Sequence, residues 1–240
     1  MLTVSYVVYA GLWILTSDWL LGLFVPPEQL ARTGLVKGLA FVAVTGLIHP
    51  EKIITNAAAK PGDQLFLTKP LGTGLITTGI KRGKVEPELE QLVIAHMARL
   101  NKDASELMLA CGAHAATDIT GYGLAGHAFE MAAGAGVTIR ITAASLPLLP
   151  RALELAELGM IPGGANANRD YMTGRISVAA SVDPNLDKVI YDPQTSGGLL
   201  LALAPHKLDE CRERLHQHGV RAWHIGEVIA QTAGSLELVS

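Results

Sequence analysis

An aspartate followed by two glycines and the start of a helix can hold a metal-bound phosphate, and residues 116–127, ATDITGYGLAGH, have that order. Asp118 can bind a hard cation shared with the anion, while Gly121 and Gly123 let backbone N–H groups approach the anion itself. The same residues also fit an N-capping aspartate with glycines present for tight packing. Residues 68–74, TKPLGTG, end a strand in Lys69 and a flexible Gly-x-Gly loop. This is only a loose phosphate loop, because the full G-x-x-x-x-G-K-[ST] order is missing. Residues 192–199, DPQTSGGL, offer an acidic turn, the hydroxyls of Thr195 and Ser196, and bare backbone at Gly197. These could contact a ligand, although a tight turn into a buried strand accounts for them equally well.

The elements that must position these stretches alternate between short apolar runs and amphipathic helical patterns, which is the mark of an α/β layer structure. Gln64 to Thr68 is a strand launched by the Pro61-Gly62-Asp63 turn, and Val137 to Ile141 and Gly198 to Leu203 are further strands. Pro87 to Leu100 places Leu89, Leu92, Val93, His96, Met97 and Leu100 at helical spacing. Asn101 then caps a second helix ending near Gly112, a third runs from about Gly123 to Ala133, and Pro205 to His218 is an amphipathic helix closed by Gly219. No internal repeat or low-complexity linker interrupts this order.

The chain has 240 residues, enough for one or two domains with a sizeable core. Its net charge of −3 provides no polybasic field, which disfavours nucleic acid as a partner. Cys111 and Cys211 make neither a disulfide framework nor a CxxC motif, and a reducing compartment fits them best. Both fall inside amphipathic helices, where buried thiols are inert.

Residues 1–48 carry only four charges, Asp18, Glu28, Arg32 and Lys37, against thirty-seven in the rest. Leu2 to Val25 holds one of them, Asp18, and is long enough to cross a hydrocarbon layer of about 30 Å at about 1.5 Å per residue. Tyr6, Tyr9, Trp13 and Trp19 suit a bilayer interface. Residues 2–25 therefore read as a membrane anchor, with a buried helix of a soluble core as the alternative. Residues 1–45 resemble the two-helix membrane module at the front of many bacterial sensor proteins, but depart from it after Gly46, where the second apolar run stops. The expected organisation is a hydrophobic anchor over 1–46 and an α/β domain over 47–240, with the latter in the cytoplasm.

HPEKIITNAAAKPGDQLFLTKPLGTG, ATDITGYGLAGHAFEM, GMIPGGANANRDY and YDPQTSGGLL occur in that order and resemble the C-terminal half of the selenophosphate synthetase (selenide, water dikinase) family over about residues 43–230. The resemblance implies the C-terminal α/β (α+β) domain of the aminoimidazole ribonucleotide synthetase superfamily. It implies a reaction of ATP, selenide and water giving selenophosphate, AMP and phosphate, with Mg²⁺ as the metal. It places Asp118 at the family's C-terminal magnesium-binding aspartate, and Gly121, Gly123, Thr195, Ser196 and Gly197 around the nucleotide. The family's reactive cysteine or selenocysteine, its neighbouring lysine, its other metal-binding aspartates and its glycine-rich stretch have no counterpart here. The resemblance thus implies half a site, inactive alone, whose partner is a second copy of the chain or a separate N-terminal half. A membrane-anchored non-catalytic binding protein and a non-functional fusion are the alternatives.

Overall fold

A computed structural model describes residues 53–231 and 234–240, so the expected anchor over residues 2–25 and the boundary near residue 47 lie outside the described residues. From Ile54 onward the chain forms a single contact unit. Its scaffold is a seven-stranded sheet of β1 Gln64–Leu67, β2 Ala115–Asp118, β3 Val137–Thr142, β4 Ile176–Val178, β5 Leu199–Leu203, β6 Trp223–Gln231 and β7 Ser235–Val239. The strands lie in the order β2-β5-β1-β6-β3-β7-β4. β5 and β6 run antiparallel to their neighbours, whereas β3, β7 and β4 are mutually parallel. The carboxyl ends of β1 and β2 and the starts of β5 and β6 consequently share one end of the sheet.

The uninterrupted apolar runs of β1 and β5 have a direct cause, which is that both strands are covered on both faces. Leu65, Leu67, Leu200 and Ala202 point into the main core, while Phe66, Leu201 and Leu203 point into a second, smaller cluster. Beyond β6 the second face is polar, and Arg140 of β3 bonds Glu237 of β7 at 2.9 Å. This explains the alternation in VTIRIT.

The helices are α1 Thr73–Lys81, α2 Pro87–Ala98, α3 Lys102–Cys111, α4 Gly123–Ala135, α5 Ala152–Glu157, α6 Gly163–Met172, α7 Pro184–Val189 and α8 Leu208–Gln217. α4 buries Leu124, Ala125, Ala128, Met131 and Ala132 in the main core. α3 and α8 cover the second face through Ala104, Leu107, Cys111, Cys211 and Leu215. Among the described residues no helix is long and apolar enough to cross a membrane.

Two expectations need correction. Cys111 and Cys211 are not separate thiols but a disulfide joining α3 to α8, with Cα atoms 5.4 Å apart. Two helices distant in sequence pack on the same patch of β5 and β1, a proximity that spacing cannot report. Leu100 does not extend the apolar stripe of α2, because the helix stops at Ala98, Arg99 turns extended, and Leu100 is left 77% exposed.

Candidate functional site

The three stretches singled out in the sequence meet at the shared end of the sheet, and the segment 192–198 joins them. The Ile119 N–H donates to the Gly198 carbonyl at 2.8 Å and the Gln194 N–H to the Thr120 carbonyl at 3.0 Å, so this segment lies along the one that follows Asp118. On its other side it reaches Thr68, whose hydroxyl accepts from the Leu199 N–H at 2.8 Å. It also reaches Thr73, whose hydroxyl accepts from the Thr195 N–H at 2.9 Å.

The start of α1 is filled by the protein's own side chains. Gln194 Oε1 accepts from the Gly72 N–H, the Thr73 N–H and the Thr73 hydroxyl at 3.1–3.3 Å. The fully buried Asp192 accepts from the Gly74 N–H at 3.0 Å and from Gln194 Nε2 at 2.9 Å. Burial pushes the Asp192 carboxyl up to about 7, against the pull of its hydrogen bonds, and among the described residues its Oδ1 has no partner. A helix start occupied in this way has no open donors for a phosphate, so the TKPLGTG loop is an internally capped turn. The start of α4 is similarly occupied, since the Gly123 N–H donates to the Thr120 carbonyl and the Ala125 N–H to the Ile190 carbonyl.

The candidate residues divide by exposure. Gly123 and Gly197 are buried, and packing accounts for both. Gly123 has φ +67° and a Cβ there would stand 2.7 Å from the Ile190 carbonyl oxygen, while a Cβ on Gly197 would run into the Ile119 carbonyl. Asp118, Gly121, Thr195 and Ser196 are exposed. Asp118 ends β2 at the edge of the sheet, and among the described residues its carboxylate makes no hydrogen bond or ion pair. It does not cap α4, whose N-cap position is Tyr122. Tyr122 and Tyr171 flank this face, with ring centres 6.3 Å apart and both rings exposed. The Arg175 guanidinium lies 4.1 Å over the Tyr171 ring. Asn168 Nδ2 fixes the loop from below, donating to the Gly121 and Tyr191 carbonyls at 2.8 and 2.9 Å.

The donors on this face are hard oxygens, the type that suits Mg²⁺. Among the described residues, however, no three potential metal-ligating side chains come together. Asp118 fits as one ligand of a magnesium site, not as a complete site. Sequence reasoning missed Asp192, Gln194 and Asn168 as the groups that hold these loops. Their partners are backbone atoms far away in the chain, which no local motif signals.

Residues 60–239 match the family described as AIR synthase related protein, C-terminal domain. The chain belongs to that family. Within this AIR synthase related family, the selenide, water dikinase of Caldanaerobacter subterraneus is 48% identical over 176 residues, covering 73% of this chain and 51% of that protein. The selenide, water dikinase of Pelobacter propionicus is 44% identical over 191 residues, covering 79% and 55%. These support the C-terminal domain of selenophosphate synthetase as the part this chain resembles, and the chain spans about half the length of the relatives it matches. The crystal structure of E. coli HypE shares the fold at 18% identity and a TM-score of 0.56, covering 78% of this chain and 49% of that one. A HypE described in complex with ATP aligns at 19% identity and a TM-score of 0.51, covering 80% and 52%.

Proposed function

We propose that this chain supplies the C-terminal half of an ATP-dependent phosphotransferase of the selenide, water dikinase type, in which Asp118 is one ligand of a nucleotide-bound Mg²⁺. The observation that carries this reading is the unpartnered, exposed Asp118 carboxylate at the carboxyl end of β2, beside the exposed Gly121, Thr195 and Ser196. Support comes from relatives named selenide, water dikinase that match across the same segment. Bound Mg²⁺ would neutralise charge on the phosphates of ATP. The chain's own part is to hold Asp118 at the end of a strand anchored to β5, with Thr195 and Ser196 beside it on a loop fixed at both ends.

A hard dication takes six or more oxygens, and one carboxylate with water binds it only weakly. The remaining carboxylates are assigned to the N-terminal half of an enzyme of this type. Purified residues 1–240 are expected to form no AMP in response to selenide. Addition of the N-terminal half of a selenide, water dikinase should restore turnover, and Asp118→Asn should remove it by about a hundredfold or more, as loss of a metal-held charge at a phosphoryl centre does. The assay follows ATP to AMP with and without selenide. Selenide-dependent turnover by the chain alone, or a restored activity indifferent to Asp118→Asn, overturns the reading.

A further inference from the structure

A cavity of about 500 Å³ opens at the same end of the sheet as Asp118 but contains none of the residues assigned above to the magnesium face. Lys69, His96, Arg99 and Arg221 line it together with Trp223 and Leu148, and no carboxylate is among its described lining residues. Lys69 is only 4% exposed. Its ammonium donates to the Arg99 carbonyl at 2.6 Å and the Ser196 carbonyl at 2.8 Å, leaving its third N–H without an acceptor among the described residues. His96 Nε2 is buried and among the described residues has no partner. Among the described residues the guanidinium of Arg99 reaches only the Gly219 carbonyl, at 3.3 Å, and Arg221 has no ion-pair partner. Asp103 lines a small adjoining cleft together with Lys69 and Arg99.

Burial, and then the facing Arg99 charge, lower the Lys69 ammonium from its ordinary range, and burial with the same two cations lowers His96. Like charges gathered in a part-buried cavity repel one another, and a bound anion offsets that repulsion by attracting each of them. The walls add a second demand, since Trp223, Leu148 and the neighbouring prolines form an apolar surface beside the cations. A cavity of this size and mixed lining suits a small organic molecule better than a bare ion.

We propose that this cavity binds a phosphate monoester, its phosphoryl oxygens on Lys69, Arg99 and Arg221 and its flat organic part against Trp223 and Leu148. The site is independent of the magnesium face, requiring neither a divalent cation nor Asp118. Lys69 also caps the end of α2 through the Arg99 carbonyl, so its removal would confuse binding with folding, whereas Arg99 and Arg221 are exposed. The test titrates phenyl phosphate and inorganic phosphate into the full chain by calorimetry at low salt in EDTA, without ATP. Phenyl phosphate should bind saturably and at least about tenfold more tightly than inorganic phosphate. Arg221→Ala and Arg99→Ala should each weaken it by about tenfold or more, while Lys81→Ala, which removes a distant surface charge, should leave it unchanged. No saturable binding, equal affinity for the two probes, or binding insensitive to both arginine variants overturns the assignment. A strict requirement for Mg²⁺ would place the ligand on the other face, and it overturns the assignment as well.

Discussion

Asp192 is the residue whose protonation the fold alters most visibly. An unfolded aspartate titrates near 3.8, and burial raises this one to about 7. Between those values the folded chain keeps a proton that the unfolded chain has released. The stability held by the neutral acid is therefore complete below about pH 4 and is lost as the pH rises through about 7. Asp192→Asn keeps a neutral group that can still accept from the Gly74 N–H, so the variant should be more stable than the native chain at pH 8. The difference should narrow as the pH falls from about 7 and close towards pH 4, as read from urea midpoints across that range. Nothing in DPQTSGG announces this behaviour. The sequence marks Asp192 as a turn residue, and its packing against the start of α1, more than a hundred residues earlier in the chain, has no local signal. The placement of Asp118 at a strand end was legible because its signal is local: a polar residue followed by glycines and then a helix.

Helix ends show where local reading succeeds and where it fails. The C-terminal glycines of α3 and α4, Gly112 and Gly136, adopt left-handed backbone with φ 67° and 65°, and Gly112 was visible in the sequence as a stop. Asn101 stands at the expected N-cap position of α3, yet its side chain donates to the Gly197 carbonyl at 2.7 Å instead of capping the helix. A tertiary partner has taken over a residue that propensity assigns to its own helix. The start of α1 is the extreme case, because its cap is supplied by Gln194, more than a hundred residues later. Gln194→Ala should leave the Gly72 and Thr73 donors buried without an acceptor, at about 1–3 kcal/mol for each unsatisfied group. The expected result is a lower urea midpoint and faster amide exchange at Thr73 and Gly74, with α8 unaffected. Exchange that rises equally over the whole domain would show that α1 has no separate dependence on this cap.

For the whole molecule, the pattern of alternating runs and amphipathic helices was sufficient for the α/β class, and the family match over residues 60–239 agrees with it. The strand order was not legible, because pairing partners are chosen by what packs on both faces of β1 and β5. The disulfide belongs to this scale, since Cys111 and Cys211 lie 100 residues apart and close a loop containing β2, β3, β4 and β5. In the chain-entropy account a loop of that length restricts the unfolded state by about 4.7 kcal/mol. Urea unfolding with and without reductant should show a midpoint shift of that order, and Cys111→Ala with Cys211→Ala should reproduce the reduced curve.

The position of β1 also has a cost in time. Both of its neighbours in the sheet, β5 and β6, begin at Leu199 and Trp223, so Leu65, Phe66 and Leu67 have no partner strands while most of the chain is being made. At roughly 5–20 residues per second that wait is on the order of 10 s, long enough for an apolar strand to find another nascent chain first. Refolding from urea should accordingly lose yield as protein concentration rises, and a chain ending at residue 222 should show no cooperative transition at all. The strand that opens the domain is thus among the last to find its place in it, and during synthesis the chain depends on being kept apart from its neighbours.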